Sequence, residues 1–418
     1  MNPRKQSLYK QLIGDSFFYL LTKIIPGITG LLSIIVFIRW VGPDGYGQFT
    51  LLLSFIMAAG ALSSGWLNQA ILRYFSQDEN KEEFPAAIFR GILISFLLGF
   101  IILLVGFQFF LDLDIIAFVI AYISFISIIL FKLRSVLLQA GLKAKKVAQI
   151  TAVQAILGLI IPLIFLIRIN HYLAIIAGIS LAYLLIGYKS IFSFNKFSTN
   201  SITSSNNVLS KYYNFGIPLS FRISLGLFIS FLDRWFITFF LNESITGLYA
   251  GYSEIIIKVF SIILFPITLA IHPRVTKLWN EGERKKSIQL VKKGIGIQSG
   301  IFLLAFVIFI LFEKQFFNLS LILIPELSSE FLSLGIPIFI SGFLWQISLL
   351  VHKPLELTEK PLKMVWAIIA ALVVAVVGNI IFLPRIGVIA TAYSSIASAS
   401  VYIIIIILFV LNKRKLSE

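Results

Sequence analysis

Val388-Ile-Ala-Thr-Ala-Tyr-Ser-Ser-Ile-Ala-Ser-Ala-Ser-Val-Tyr-Ile-Ile-Ile-Ile-Ile-Leu-Phe-Val-Leu411 runs for 24 residues without a charge. At 1.5 Å per residue, about 20 such residues cross a hydrocarbon core about 30 Å thick. A lipid-exposed backbone must satisfy its own hydrogen bonds, so only a helix or a closed barrel can do this. A barrel strand would alternate apolar and polar residues over about 10 positions, whereas Ser400–Val410 (SVYIIIIILFV) is apolar on every face. The stretch is therefore a spanning helix, and working outward from it the chain repeats the pattern. Of 418 residues, 58% are hydrophobic and 13% charged, with mean hydropathy +0.96, against about 25% charged in soluble domains. The composition is that of an all-α polytopic membrane protein.

Twelve spans are expected: 16–38, 48–72, 86–110, 115–138, 147–167, 172–192, 213–240, 246–271, 287–312, 331–350, 362–383 and 388–411. The basic start MNPRKQSLYK runs directly into the first of them, and no cleavable signal peptide is expected. An even number of spans puts both termini on one side. That side collects 25 Lys and Arg in its loops and ends, whereas the opposite loops hold Arg39, Arg168, Lys314 and Arg385. The bias predicts that both termini are cytoplasmic. It also explains most of the +16 net charge, which in a soluble chain would point to nucleic acid; no nucleic-acid partner is expected. The chain has no Cys, and His171, His272 and His352 are expected at span ends without clustering, so neither a metal site nor a cofactor is expected. No GxxxxGK[ST] pattern occurs, which argues against ATP hydrolysis. Catalytic constellations are absent from the outer loops, the longest of which, 313–330, reads as short and largely apolar, and no enzyme activity is expected.

The chain echoes itself. Gly45-Tyr-Gly-Gln-Phe49 resembles Gly247-Leu-Tyr-Ala-Gly251, Arg73 falls near Arg274, and Arg90-Gly91 matches Lys293-Gly294. At an offset of 217, Lys143 meets Lys360, Phe165 meets Phe382 and Arg168 meets Arg385. Each half holds six spans, so the repeat is parallel, related by an axis along the membrane normal. The domains expected are a six-helix bundle over 1–195, a polar linker over 196–211 and a second six-helix bundle over 212–418. Gly296 and Gly300 form a GxxxG, a sign of close helix packing.

A Lys or Arg at a helix centre costs about 2.5–3.5 kcal/mol on insertion scales, so such residues tend to face a cavity or a partner. Beyond the cations counted in loops and at span ends, six lie within the expected spans: Lys23, Arg90, Lys132, Arg222, Arg234 and Lys258. Arg90 and Lys132 are near cytoplasmic ends and can snorkel. Arg234, beside Asp233 and Trp235, reads either as a local ion pair and interface anchor or as a substrate contact. Lys23 and Arg222 occupy similar depths in the first span of each half, beside Pro26 and Pro218. Glu254 and Lys258 stand at i,i+4 and can pair; this is either a silent structural pair or a cationic patch with a titratable carboxylate. Intramembrane cations predict an anionic substrate.

Arg39-Trp-Val-Gly-Pro-Asp-Gly45-Tyr46-Gly47-Gln-Phe49 resembles the R-x-x-G-x-x-x-Y-G-x-Y/F stretch of polysaccharide flippases of the O-antigen (Wzx) type. Asp233-Arg234 followed by Gly247-Leu-Tyr-Ala250, Phe265-Pro266, His272-Pro-Arg274 and Asn379-Ile-Ile-Phe-Leu-Pro-Arg-Ile-Gly387 are similar too. These flippases belong to the multidrug/oligosaccharidyl-lipid/polysaccharide (MOP) superfamily, together with multidrug exporters and lipid II flippases. The resemblance implies a MATE-like fold in the bacterial inner membrane and a substrate that is an undecaprenyl-pyrophosphate-linked glycan. It also implies polymerase or assembly proteins of the same pathway as partners. In that setting Lys23, Arg222, Lys258 and Arg234 are candidate substrate contacts, and Glu254 and Asp233 are candidates for coupling to H+ or Na+. Arg39, Gly45, Tyr46, Gly47, Arg73 and Arg274 are the motif positions. The alternative is a cation-coupled multidrug exporter of the same fold, for which an acidic cavity is expected.

Overall fold

The structure is a computed structural model that describes residues 3–78, 83–108, 115–190, 205–358 and 360–414. Among the described residues there is no strand. A helical run, Pro3–Asp78, is broken at Gly42 (φ 73°, ψ 173°), a backbone conformation that side chains disfavour and glycine adopts freely. The break separates α1 (3–41) from α2 (43–78). There follow α3 (Glu83–Gly106), α4 (Ile115–Ala140), α5 (Ala144–Arg168), α6 (Tyr172–Gly187), α7 (Asn206–Phe240), α8 (Glu243–Asn280) and α9 (Arg284–Leu311). The chain then forms α10 (Glu313–Leu323), a 3-10 turn (Ser329–Leu334), α11 (Gly335–Val351), α12 (Lys353–Leu357), α13 (Pro361–Ile386) and α14 (Ile389–Arg414).

Ten helices among the described residues are long and apolar enough to cross a membrane. The first of the ten, Ile24–Asp78, holds the second part of α1 and all of α2, and α8 is not among them. With that pair divided and the 38-residue α8 added, each of the twelve expected spans corresponds to a helix. The outer segment expected to be a plain loop over 313–330 instead carries α10. Most of the expected 196–211 linker lies outside the described residues.

The chain forms two compact units, one of 1–33 with 48–228 and one of 34–47 with 229–418. They reuse the same packing. In the first unit α6 packs on α4 and α5, and α3 packs on α4. In the second, α14 packs on α11 and α13, and α9 packs on α11. The repeat reaches individual residues. Gly91 on α3 receives the Leu67 side chain of α2, with a Cβ at that glycine only 3.0 Å from it. Likewise Gly294 on α9 receives Ile271 of α8, at 2.4 Å. Lys143 and Lys360 both stand as N-caps, of α5 and α13, with ψ 56° in each. Equivalent clusters fill the two interiors, Leu67, Ile71 and Ile88 in one and Ile271, Val275 and Val291 in the other. Gly296 and Gly300, in contrast, have nothing within 4 Å of a built Cβ. That GxxxG seats no neighbour and is not a packing motif here.

Lipid-facing surface is plain on α9, where Leu303, Leu304 and Val307 are more than half exposed. Arg90 reaches the start of α7, donating to Ser205 Oγ (2.9 Å) and Asn206 Oδ1 (2.7 Å), which fits its position near a span end.

Candidate functional site

The motif after α1 is a seat for backbone. A Cβ on Gly47 would lie 2.0 Å from the Glu243 carbonyl oxygen, and one on Gly247 would lie 2.0 Å from that of Pro43. The two copies of the repeated motif therefore meet each other, glycine to backbone in both directions, within the second unit. A Cβ on Gly45 would meet Val41 of the preceding turn at 2.9 Å. Arg39 donates to the carbonyls of Ile322 and Leu323 (Nε to Leu323 O, 3.0 Å). It thereby satisfies carbonyls at the end of α10 that have no helical partner. Tyr46 and Tyr249 are buried, each within electrostatic reach of Arg234. Arg73 lies over the Phe215 ring (5.9 Å), and Arg274 is exposed. These motif positions build the fold, and Tyr46 also borders the charges.

Those charges come from α7 and α8. The side chain of Arg234 is only 7% exposed. Its Nη2 donates to Glu254 Oε1 at 2.5 Å and its Nη1 donates to the Ser230 carbonyl at 3.3 Å. Asp233 Oδ1 lies 3.6 Å from Nη1 and accepts from the Arg234 backbone N–H at 2.8 Å. The guanidinium also stacks over Phe231 (5.2 Å). One turn along α8, Lys258 Nζ binds the other oxygen of Glu254, Oε2, at 3.0 Å. Glu254 thus holds two cations on separate oxygens, and the cluster of two cations and two carboxylates is neutral. Removing one partner of such a buried pair leaves an uncompensated charge, at a cost of about 3–5 kcal/mol.

Asp233, Arg234 and Glu254 line a cavity of about 360 Å³ inside the second unit. Its far walls come from α11, α13 and α14 and carry Trp345, Gln346, Asn379, Thr391 and Ser395. These polar groups are held in place. Asn379 Nδ2 donates to the Ala375 carbonyl (2.8 Å) and its Oδ1 accepts from Thr391 (2.9 Å). Gln346 donates to Thr268 Oγ1 (3.3 Å), which also accepts from buried Gln298 (2.9 Å). An opposed set of charges and neutral donors in one cavity can exchange an internal carboxylate for a ligand's anionic oxygen while hydroxyls and amides meet a polar remainder.

Of the residues expected here from sequence, Arg234, Asp233, Glu254 and Lys258 are brought together. Lys23 lies on α1 and Arg222 on α7, and their side chains lie outside the described residues. The sequence reading missed Asn379, Gln346 and Thr391 as site residues, although a lone amide in an apolar helix is a usable signal. His272 and His352 each find their own partner near the α11–α12 turn: Lys353 Nζ lies 2.5 Å from His272 Nδ1 and 3.0 Å from Glu356, and His352 Nδ1 pairs with Tyr402 OH (3.0 Å). The end of α8 packs beside the α11–α12 turn, which sequence spacing does not reveal. No group of three metal-ligating side chains exists among the described residues.

A family model described as polysaccharide biosynthesis protein matches residues 12–279. No curated protein matches the sequence. Solved structures do. An inward-facing multidrug resistance MATE family transporter of the MOP superfamily aligns over 95% of this chain and 99% of its own, at 14% identity and TM-score 0.72. The lipid II flippase MurJ, in an inward closed conformation, aligns over 94% and 87%, at 15% identity and TM-score 0.73. A MOP superfamily transporter from Pyrococcus furiosus, described as having a binding pocket of reverse polarity, aligns over 94% and 94%, at 14% identity and TM-score 0.65. At these identities the likeness is one of fold.

Proposed function

Because the chain belongs to the family of polysaccharide biosynthesis proteins, we propose that it is a flippase for an undecaprenyl-pyrophosphate-linked oligosaccharide. It carries this substrate from the cytoplasmic to the outer leaflet of a bacterial inner membrane. The halves 1–195 and 212–418, joined by 196–211, work by alternating access, and both termini are cytoplasmic, in keeping with the Lys/Arg bias. Polymerase and assembly proteins of the same pathway take up the product. The chain itself breaks no bond.

The observation that carries the reading is the neutral Asp233–Arg234–Glu254–Lys258 cluster, of which Asp233, Arg234 and Glu254 line a cavity that also holds amide and hydroxyl side chains. A pyrophosphate with a sugar attached cannot cross hydrocarbon unaided, because burying an unpaired charge is very costly. A proton or Na+ at Glu254 removes one negative charge and frees Arg234 and Lys258 for charge-assisted hydrogen bonds to phosphate oxygens. When Glu254 regains its charge it competes for the same two cations and releases the ligand. Asp233 stays on Arg234 and keeps it aimed, while Asn379, Gln346 and Ser395 offer hydrogen bonds to sugar hydroxyls. Lys23 and Arg222 are further cations for the anionic substrate.

The test is translocation of the lipid-linked oligosaccharide in reconstituted vesicles at matched protein level. Arg234→Ala is expected to reduce it more than 10-fold through lost binding. Glu254→Gln is expected to bind inorganic pyrophosphate more tightly and yet to turn over more than 10-fold more slowly. Wild-type translocation by both variants overturns the role of the cluster. Full activity in both Lys23→Ala and Arg222→Ala removes those two from the path. Transport of a lipophilic cation without transport of the oligosaccharide would mean the exporter alternative.

A further inference from the structure

A second and larger cavity, of about 880 Å³, lies in the second unit away from the charge cluster, and the two share no lining residue. It opens between the start of α9 and the end of α14, both of which pack on α11. Ile288 and Ile295 of α9 face Ile407 and Leu411 of α14, and Val351 and Leu355 from the α11–α12 turn belong to the same lining. Leu411, Ile407 and their neighbour Leu408 are 42–57% exposed, so the apolar groove continues into surface that faces lipid.

At the loop end of this groove stand three cations, Arg284, Lys285 and Lys292, with Trp279. Arg284 lies over the Trp279 ring at 5.2 Å, and Trp is a side chain favoured at membrane–water interfaces. Ion pairing in this region is selective. Lys286 is paired with Glu283 (3.0 Å) and Lys277 with Glu281 (3.8 Å), and neither lines the cavity. Arg284, Lys285 and Lys292 make no salt bridge among the described residues. Among the described residues the nearby carboxylates of Glu281 and Glu283 pair with other cations, and no ion pair joins the three that rim the groove.

From an apolar slot that continues into exposed apolar surface and is topped by three cations and Trp279, we infer that this groove binds an anionic phospholipid of the surrounding leaflet. The acyl chain lies between α9 and α14, and the phosphate contacts Arg284, Lys285 and Lys292. Basic pockets between spanning helices on the cytoplasmic side are suited to anionic headgroups. The inference uses only the orientation given above, in which this end is cytoplasmic, and does not depend on what the protein transports. A phospholipid fits better than a basic segment: the rim is itself cationic, and the Lys413-Arg414-Lys415 stretch at the chain's end has the same sign of charge. The carrier lipid is disfavoured because the groove shares no residue with the polar cavity a sugar would need.

The experiment measures the whole protein in detergent, titrated with pyrene-labelled phosphatidylglycerol and phosphatidylcholine, with Trp279 as energy donor. Phosphatidylglycerol is expected to bind at least about 10-fold more tightly than phosphatidylcholine, with the preference falling as salt rises. The triple variant Arg284→Ala, Lys285→Ala, Lys292→Ala is expected to abolish the preference; all three side chains are exposed, so folding is not at issue. Ile288→Trp with Ile407→Trp, which fills the slot and keeps the charges, is expected to reduce binding of both lipids. Equal affinity for the two lipids in the wild type overturns the inference. So does a preference that survives the triple variant, or competition at this site by undecaprenyl pyrophosphate but not by phosphatidylglycerol. None of these outcomes bears on whether Arg234 and Glu254 carry the transported anion.

Discussion

Laid over one another at the offset that joins Gly47 to Gly247, the two halves of the chain agree in backbone and disagree in chemistry. Asp233, Arg234, Glu254 and Lys258 fall on Ser33, Ile34, Ser54 and Ala58. At the offset of 217, Asn379 and Ser395 fall on Pro162 and Gly178. In the first half that second pair is a packing contact, since a Cβ on Gly178 would lie 2.6 Å from the backbone of Pro162. In the second half it lines the cavity. The features that recur are those a helix bundle needs, such as glycines that receive a neighbour and caps that start a helix. The charges occur once. A repeat fixes where helices cross, and a site can then be built on one copy at no cost to the other.

The largest expected effect comes from breaking that asymmetry. Arg234→Ala or Glu254→Gln alone is expected to destabilise the protein by about 3–5 kcal/mol, because the remaining ion stays in the bundle without its counter-charge. In the double variant Asp233→Leu with Arg234→Met, Glu254 and Lys258 still pair with each other at 3.0 Å. Thermal unfolding in detergent is expected to show most of the lost stability returning, while translocation stays absent. A double variant no more stable than Arg234→Ala would mean that the cluster does not act as one unit. Recovery of transport along with stability would make the cluster a strut and return the site to the first half.

Next in size is the contact between the two motif copies. Gly47→Ala and Gly247→Ala each drive a methyl group into a carbonyl oxygen 2.0 Å away. Backbone cannot turn aside as a side chain can, so a cost of about 1–3 kcal/mol or more is expected. Gly296→Ala meets open space and is expected to gain up to about 1 kcal/mol from helix propensity. Opposite signs for the two substitutions, read as shifts in unfolding temperature, check the assignment. A neutral Gly47→Ala would show that α8 can move away from the motif.

The spanning helices were legible because burial in lipid requires long uncharged runs, and these stand out in a single sequence. The repeat was legible where it concerned backbone: Gly91 with Gly294, and Lys143 with Lys360, were aligned by residue type alone. Of the site, the Glu254–Lys258 pair followed from helical spacing, and Asp233–Arg234 from adjacency. That Glu254 bridges both cations was not legible, since it depends on how α7 meets α8. Nor was the company of Asn379, Thr391 and Gln346, which come from three helices with no fixed spacing between them. The GxxxG at Gly296 misled because small residues permit close packing without creating a neighbour, and that face of α9 is turned outward.

The smallest effects separate a polar residue that lines the cavity from one that does not. Ser54, the counterpart of Glu254, is buried and donates to the Leu51 carbonyl one turn back at 2.7 Å. That carbonyl also belongs to the helix ladder, and Ser54→Ala is expected to cost less than about 0.5 kcal/mol. Asn379→Leu differs because its Oδ1 is the acceptor for Thr391. Its loss strands a buried hydroxyl, and a cost of about 1 kcal/mol is expected, in the range found for single hydrogen bonds between membrane helices. The KM for oligosaccharide is expected to rise several-fold in Asn379→Leu and to stay at the wild-type value in Ser54→Ala. Equal KM values in the two variants would mean that the polar wall of the cavity is scaffold, leaving the ion cluster alone to hold the substrate.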